Sequence, residues 1–461
     1  MHLNSLLLIS DSLSEWLQLL AGLSFLIVLH EFGHFFFARL FKTRVEKFYL
    51  FFDFLFPFSG LLNFSLFKKT KGDTEYGIGW FPLGGYVKIS GMVDESMDKD
   101  ALAQPPQPWE YRSKKAYQRL LIMLGGIIMN VLVAIFLYMI IFSVWGEEYL
   151  PTKNLKYGIA VDSVGRGIGL QNGDMIKAID GKTIVRFNQV PLALILHDEN
   201  GTILINRAGK DTTITIPPGT IGKMIKAKRG RVVEVRSFAV VDSIIPGSIA
   251  AASHLKKGDS IVAINGQPVI FSSDFVDFRS ANYGKPVSIS FVREGKLDSV
   301  SSQFVKDSVF GLGWVSPERY LDYVKIKYNP IQAVGRGVTQ TIEKVQLYVM
   351  QFKLFRSPEV KVNESLGGFG SMAKMYGPEF SWLSFLSLTA FISVALAFMN
   401  LLPIPGLDGG YVIFLLFEMI SGKKVSEKVM EYATTVGLVL LLGLMLYVNG
   451  LDILRHFNIK L

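Results

Sequence analysis

No cysteine occurs among the 461 residues, so disulfides and thiolate metal sites are excluded. Lysine and arginine are missing from the first 38 residues. With no basic n-region and no small-residue cleavage site, that start is not expected to be a removed signal peptide. Asp, Glu, Lys and Arg are all missing from Leu120–Gly146, Phe380–Leu407 and Tyr432–Leu451. From Trp16 to Ala38 the only ionisable groups are His30, Glu31 and His34. Spanning the roughly 30 Å of bilayer hydrocarbon takes about 20 residues, so four transmembrane helices are expected. The run Tyr411–Phe417 is too short to span and is expected at the interface.

What is present fits a mixed architecture. Half the residues are apolar (50%), and the mean hydropathy is +0.34. That is too apolar for one soluble domain and too polar for a bundle made only of membrane helices. The formal charge of +9 does not point to nucleic acid, because the basic residues gather beside the expected spans. The connection between the first two holds Lys42, Arg44, Lys47, Lys68, Lys69, Lys71, Lys88, Arg112, Lys114 and Lys115. Lys423, Lys424 and Lys428 lie between the last two, whereas Glu147 and Glu148 follow the second. The positive-inside rule then puts these two connections in the cytosol and both chain ends outside. Residues from about 147 to 378 become a large non-cytosolic insertion.

His30-Glu31-Phe32-Gly33-His34 lies inside the first expected span. A charged side chain at the centre of such a helix costs roughly 2.5–3.5 kcal/mol. A soluble helix carries this pattern cheaply, whereas a membrane helix that buries Glu31 without a partner does not. Positions i and i+4 share a helix face, so both imidazoles can reach one ion while Glu31 faces its bound water. This is the arrangement of zinc metallohydrolases, with two nitrogen ligands and a carboxylate base.

Two His ligands do not complete a catalytic zinc site. The continuation that would supply a third His nearby is absent, since Phe37 and Leu40 stand where Gly and His would be needed. A better candidate closes the third expected span, in Asn400-Leu401-Leu402-Pro403-Ile404-Pro405-Gly406-Leu407-Asp408. Asp408 and the His pair both fall toward the cytosolic side, and the two prolines forbid a regular helix between Asn400 and Asp408. Two rivals stay open on the residues alone: a membrane scaffold with a structural metal, and a membrane zinc peptidase with a Glu third ligand.

The insertion contains an internal repeat. Gly169–Gly181 recurs as His254–Gly266 at an offset of 85 residues, with Leu170, Gly173, Asp174, Ile176, Ala178, Ile179 and Gly181 each matched by an identical residue. The pattern reads as a helix end, a tight turn, a strand and an Asp-Gly or Asn-Gly hairpin turn. Two tandem small domains are expected, resembling PDZ modules of the bacterial kind, which take an extended chain by strand addition. Phe310-Gly311-Leu312-Gly313 resembles a PDZ carboxylate-binding loop. The first copy is abbreviated where the second reads Ile245-Pro246-Gly247-Ser248-Ile249-Ala250. His197 and His254 fall in these modules and are not read as metal ligands. After them, Asn329-Pro330 reads as a helix start. Ile331, Val334, Val338, Ile342, Val345, Val349 and Phe352 then recur at helical spacing. This stripe suits either packing on a soluble core or lying on the membrane.

Taken together, the His-Glu-x-x-His pair, Asn400-x-x-Pro403-x-Pro405-x-x-Asp408-Gly409, four spans and inserted PDZ modules resemble the site-2 protease family, in its branch of bacterial regulators of sigma-factor signalling. The resemblance covers nearly the whole chain. It implies a zinc intramembrane endopeptidase of the bacterial inner membrane. Its substrates would be transmembrane segments of single-pass regulators such as anti-sigma factors, cut after prior trimming, with remnant signal peptides as a further class. It implies His30, His34 and Asp408 as zinc ligands, Glu31 as catalytic base and Asn400 as a residue handling the substrate backbone, with Pro403 and Pro405 beside it. Gly77–Ile89 reads as Gly-punctuated strands and resembles the family's re-entrant β-element, giving Gly79, Trp80, Gly84, Gly85 and Tyr86 as substrate-binding candidates. Gly125-Gly126-Ile127-Ile128-Met129-Asn130 resembles a family Gly-Pro-x-x-Asn pattern with Gly126 in place of proline. The fold expected is thus a multi-pass α-helical membrane protein carrying two α/β PDZ domains. Its parts are an N-terminal membrane domain (1–150), PDZ domains (151–225 and 226–322), an amphipathic helix and connector (323–378) and a C-terminal membrane domain (379–461). PDZ domains and chain ends would be periplasmic, the active site near the cytosolic side, the partners substrate and lipid, and the protein monomeric without nucleic acid.

Overall fold

Among the described residues, four helices are long and apolar enough to cross a membrane, at Ser12–Leu40, Ala116–Val144, Trp382–Leu401 and Lys428–Arg455. The structure is a computed structural model that describes residues 2–54, 62–82, 84–92, 105–197, 200–226, 232–306, 308–354 and 366–457. Leu83, residues 227–231 at the expected boundary of the repeats, and 355–365 of the expected connector lie outside the described residues. The chain divides into two units, one of residues 1–146, 327–353 and 365–461, the other of 147–326 and 354–364.

In the first unit, α1 (His2–Leu40) leads to β1 (Val45–Leu50), β2 (Ser65–Lys71), β3 (Thr74–Gly79) and β4 (Tyr86–Ile89). Then come α2 (Ala116–Val144), α3 (Pro330–Leu354), α4 (Phe369–Tyr376), α5 (Trp382–Leu401), α6 (Asp408–Ser421) and α7 (Glu427–His456). Helices α1 and α2 cross with backbone almost touching backbone. A Cβ on Gly33 would stand 2.1 Å from the Gly125 carbonyl oxygen, and one on Gly125 would stand 2.5 Å from that of Gly33. Any side chain at either position would force the helices apart, so small residues fix the crossing.

Helix α5 stops at Leu401, short of the expected Leu407, because Pro403 and Pro405 supply no N–H to continue it. The chain turns and restarts as α6 at Asp408. The short run expected at the interface is part of this helix. It buries Tyr411, Val412 and Leu415 against a cluster that includes Ile122 and Met123 of α2, and leaves Ile413, Leu416 and Phe417 exposed.

Helix α3 begins as expected. Asn329 Oδ1 accepts from the Gln332 N–H at 2.9 Å, while Gln332 Oε1 accepts from the Asn329 N–H at 3.2 Å. Of the apolar stripe, Val345 packs on the core, and most of the packing face is formed by other residues. Ala333 and Thr341 are buried, Gly337 faces the Ile135 carbonyl of α2, and Tyr348 stacks on Phe391 and Phe398 of α5. Ile331, Val334, Val338, Ile342 and Val349 are exposed. Small residues and one aromatic allow close approach to the spanning helices, and the β-branched stripe turns outward.

The strands form one sheet in the order β2-β3-β1-β4. β1 runs parallel to β3 and antiparallel to β4, and β2–β3 is a hairpin. β4 is therefore an edge. β1 and β2 went unmarked in the sequence because their lysines and aromatics show no clean alternation.

The second unit repeats one plan twice. Strands Met175–Ile179, Lys182–Thr183, Thr202–Arg207 and Lys210–Thr215 form the first sheet. Ser260–Ile264, Gln267–Pro268, Pro286–Arg293 and Lys296–Gln303 form the second in the same order. The repeated hairpin turns have positive φ at Asp180 (49°) and Gly181 (70°), and at Asn265 (48°) and Gly266 (78°), as a type I′ turn requires. The repeated Asp is an anchor: Asp174 accepts two bonds of 2.7 Å from Arg207, and Asp259 two of 2.7 Å from Arg293. Leu312–Trp314 pairs with Val241–Ile244, and the Gly311 carbonyl accepts from Ile245 N–H at 2.9 Å.

Candidate metal centre

One helical turn of α1 brings His30 and His34 together, with their Nε2 atoms 3.3 Å apart. α6 supplies the third group. Asp408 Oδ2 lies 3.3 Å from His30 Nε2 and 3.4 Å from His34 Nε2. All three side chains are largely buried, and Asp408 Oδ2 is a buried carboxylate oxygen that makes no hydrogen bond.

This triangle fits zinc. Ligand bonds of about 2.0–2.1 Å in a tetrahedron separate neighbouring donors by about 3.3–3.4 Å. Two imidazoles and one carboxylate leave the fourth position open, as catalytic sites do. An oxygen without a partner, held at that spacing from two ring nitrogens, is what an anion awaiting a cation looks like.

Helix α2 sets the rings from behind. The Ile122 carbonyl lies 2.8 Å from His34 Nδ1. A carbonyl only accepts, so Nδ1 carries the proton and Nε2 presents its lone pair. A helical carbonyl is normally covered by the side chain four residues later; here that residue is Gly126. His30 sits on the same glycine, where a Cβ would come within 2.4–2.6 Å of the ring atoms. Two turns along α2 from Ile122, the Asn130 side-chain amide lies 3.1 Å from His30 Nδ1.

The cavity at the centre is lined by His30, Glu31, His34 and Asp408, together with Asn400 from the last turn of α5 and Leu407 from the turn between α5 and α6. Met92, Met123, Phe54, Tyr411 and Thr434 add an apolar wall with two hydroxyls. The third side is the edge of β4, through Gly85, Tyr86, Val87 and Ile89. Val87 and Glu31 both line the cavity, so β4 borders the centre.

Of the residues expected from sequence, His30, Glu31, His34, Asp408, Asn400, Gly85 and Tyr86 line this cavity. Gly79, Trp80, Gly84, Pro403 and Pro405 do not. The Trp80 indole is turned aside, stacked on Phe64 and donating to the Leu62 carbonyl at 2.9 Å. Gly79 and Gly84 pack on Phe52, and Pro405 lies under Gly437 of α7. Their contribution is to shape the turns that carry cavity residues. Sequence reasoning missed Met92, Met123, Thr434 and the Ile122 carbonyl. Only the glycines at 125 and 126 hinted that another helix packs there.

The profile of peptidase family M50 matches residues 18–444. The chain belongs to peptidase family M50. It is therefore a metallopeptidase of the site-2 protease type, and the donor set above fits the zinc that such enzymes use. This M50 peptidase is 31% identical to the regulator of sigma-E protease RseP of Escherichia coli, over 93% of this chain and 96% of that one. It is 30% identical to protease RseP of Yersinia pestis, again over 93% and 96%. A relative in Neisseria meningitidis, 27% identical over 93% of this chain and 96% of its own, carries zinc metalloprotease in its name.

Proposed function

We propose that this M50 peptidase cuts the transmembrane segments of single-pass membrane regulators, anti-sigma factors being the favoured class, after another protease has trimmed them. One observation carries the reading: a zinc-fitting donor triangle, Glu31 and an open strand edge share one cavity within a membrane-spanning helix. His30 lies ten residues before the end of α1, about 15 Å along its axis. A peptide bond reaching it has left water and entered the depth of the bilayer. The names of the relatives support a role in sigma-factor regulation.

His30, His34 and Asp408 would hold the zinc. Bound there, zinc supplies a Lewis acid that polarises the scissile carbonyl and acidifies water. Glu31 takes the proton of the attacking water and passes it to the leaving amine. A helical substrate has its carbonyls occupied in i→i+4 bonds, so it must open first. The edge of β4 offers the opened strand new backbone partners by strand addition, and Asn400, in the lining of the same cavity, would donate to a substrate carbonyl. Helix-breaking residues near the cut favour this opening. The two modules of the second unit read as PDZ domains on the periplasmic side. The basic connections read as cytosolic, which puts the centre toward the cytosolic side of an inner membrane.

Glu31→Gln tests the assignment. The amide cannot accept the proton, so turnover of a purified membrane substrate should fall by about 10²–10⁴-fold while the protein retains zinc. Near-normal turnover would remove Glu31 from the mechanism and the protease reading with it.

A further inference from the structure

His34 and His30 are not fixed in the same way. The Ile122 carbonyl leaves His34 one tautomer, with Nε2 free to ligate. His30 Nδ1 instead meets the Asn130 amide, at 3.1 Å. An amide can donate or accept, and which end faces the ring is an assignment from the hydrogen-bond network. With the nitrogen toward His30, Nδ2–H donates to a bare Nδ1. The ring proton then sits on Nε2, which points at the Asp408 carboxylate 3.3 Å away. That tautomer cannot ligate through Nε2. It also leaves Asn130 Oδ1 buried without a partner. With the amide turned over, Oδ1 accepts from Nδ1–H and Nε2 presents its lone pair to Asp408 and His34, where a cation belongs.

The surroundings hold both groups closely. Asn130 is fully buried (0% exposed). Its backbone carbonyl is held by Ser393 Oγ of α5, which donates at 2.7 Å. The His30 ring lies against Gly126.

We propose that Asn130 is a positioning residue that selects the metal-binding tautomer of His30, its Oδ1 accepting from Nδ1–H so that Nε2 presents its lone pair. The proposal rests on the zinc reading of His30, His34 and Asp408. Asn keeps the centre free of a further buried negative charge, which a carboxylate at this position would add.

The test is zinc affinity of the full-length, detergent-purified protein, by competition with a chromophoric chelator. Asn130→Leu keeps the volume and removes the acceptor; it should weaken zinc about 10–100-fold. Asn130→Asp restores an acceptor and should recover affinity. Wild-type affinity in Asn130→Leu overturns the proposal, as does a loss in Asn130→Asp equal to that in Asn130→Leu, which marks a packing role. A wild-type protein that binds no zinc overturns the metal reading as well, so the two failures are distinguishable. A second measurement needs no Asn130 variant: imidazole ¹⁵N spectra of the wild-type protein, with His30 identified by its loss in His30→Gln. Zinc-loaded protein should show Nδ1 protonated and Nε2 metal-bound. A protonated Nε2 in the loaded protein overturns the proposal.

Discussion

At the residue scale, the centre depends on groups that carry charge and on one that carries nothing. Asp408 Oδ2 is the third corner of the donor triangle, at 3.3 and 3.4 Å from the two ring nitrogens. A neutral amide ligates weakly, so Asp408→Asn should lower zinc content and turnover together. Full zinc occupancy with persisting turnover would mean that another residue completes the set. Gly126 works by absence. A Cβ there would come within 2.4–2.6 Å of the His30 ring, and the ring is held on several sides, so Gly126→Val should displace it. The expected result is zinc affinity reduced by about tenfold or more, as for loss of a ligand's supporting contact. Unchanged affinity would show that α2 can yield there.

At the element scale, β4 is an edge of its sheet, and Tyr86, Val87 and Ile89 line the cavity with Gly85 just before them. Proline replacements in the protein would confuse this test. A Cβ on Gly85 would stand 2.7 Å from the Tyr49 carbonyl oxygen, and Ile89 is a core residue at 3% exposure. The clean perturbation is in the substrate. Replacing one backbone amide at a time by an ester removes a single N–H. If the substrate pairs with β4, esters at alternate positions should lower kcat/KM by roughly tenfold, the worth of a hydrogen bond of about 1.4 kcal/mol. Positions in between should change little. A flat profile along the segment would move the substrate away from β4 and toward Asn400.

At the scale of the whole molecule, the second unit is an insertion in sequence between α2 and α3. On the orientation proposed above, it lies on the side opposite the basic connections. A folded insertion of that size suits a filter that refuses substrates with bulky external domains. Removing about residues 155–318 should then permit cleavage of untrimmed substrate, measured with trimmed substrate as the control. A variant that cuts the trimmed form and still refuses the full-length one leaves the modules as ligand-capture domains instead. Chelation should abolish turnover in either form, and added zinc should restore it.

Some of this was legible in the chain alone. His30, Glu31 and His34 stand out because ionisable groups are costly in an apolar helix, and that cost is a property of the sequence. The four spans follow from charge-free length, and the repeat with its Asp-Gly and Asn-Gly turns follows from local backbone preference. Asp408 was within reach because Pro403 and Pro405 visibly break α5. What needed three dimensions was every contact between segments far apart in sequence. The parallel pairing of β1 with β3 leaves no local pattern. The face that α3 packs is the small one, because close approach to α2 outweighs hydrophobicity when lipid is as apolar as the stripe. The Ile122 carbonyl, Val87 and the Asn130 amide became parts of the centre only when helices and strand met there. Backbone groups carry no residue identity, so sequence names the candidate ligands of this centre, and the fold alone decides what holds them.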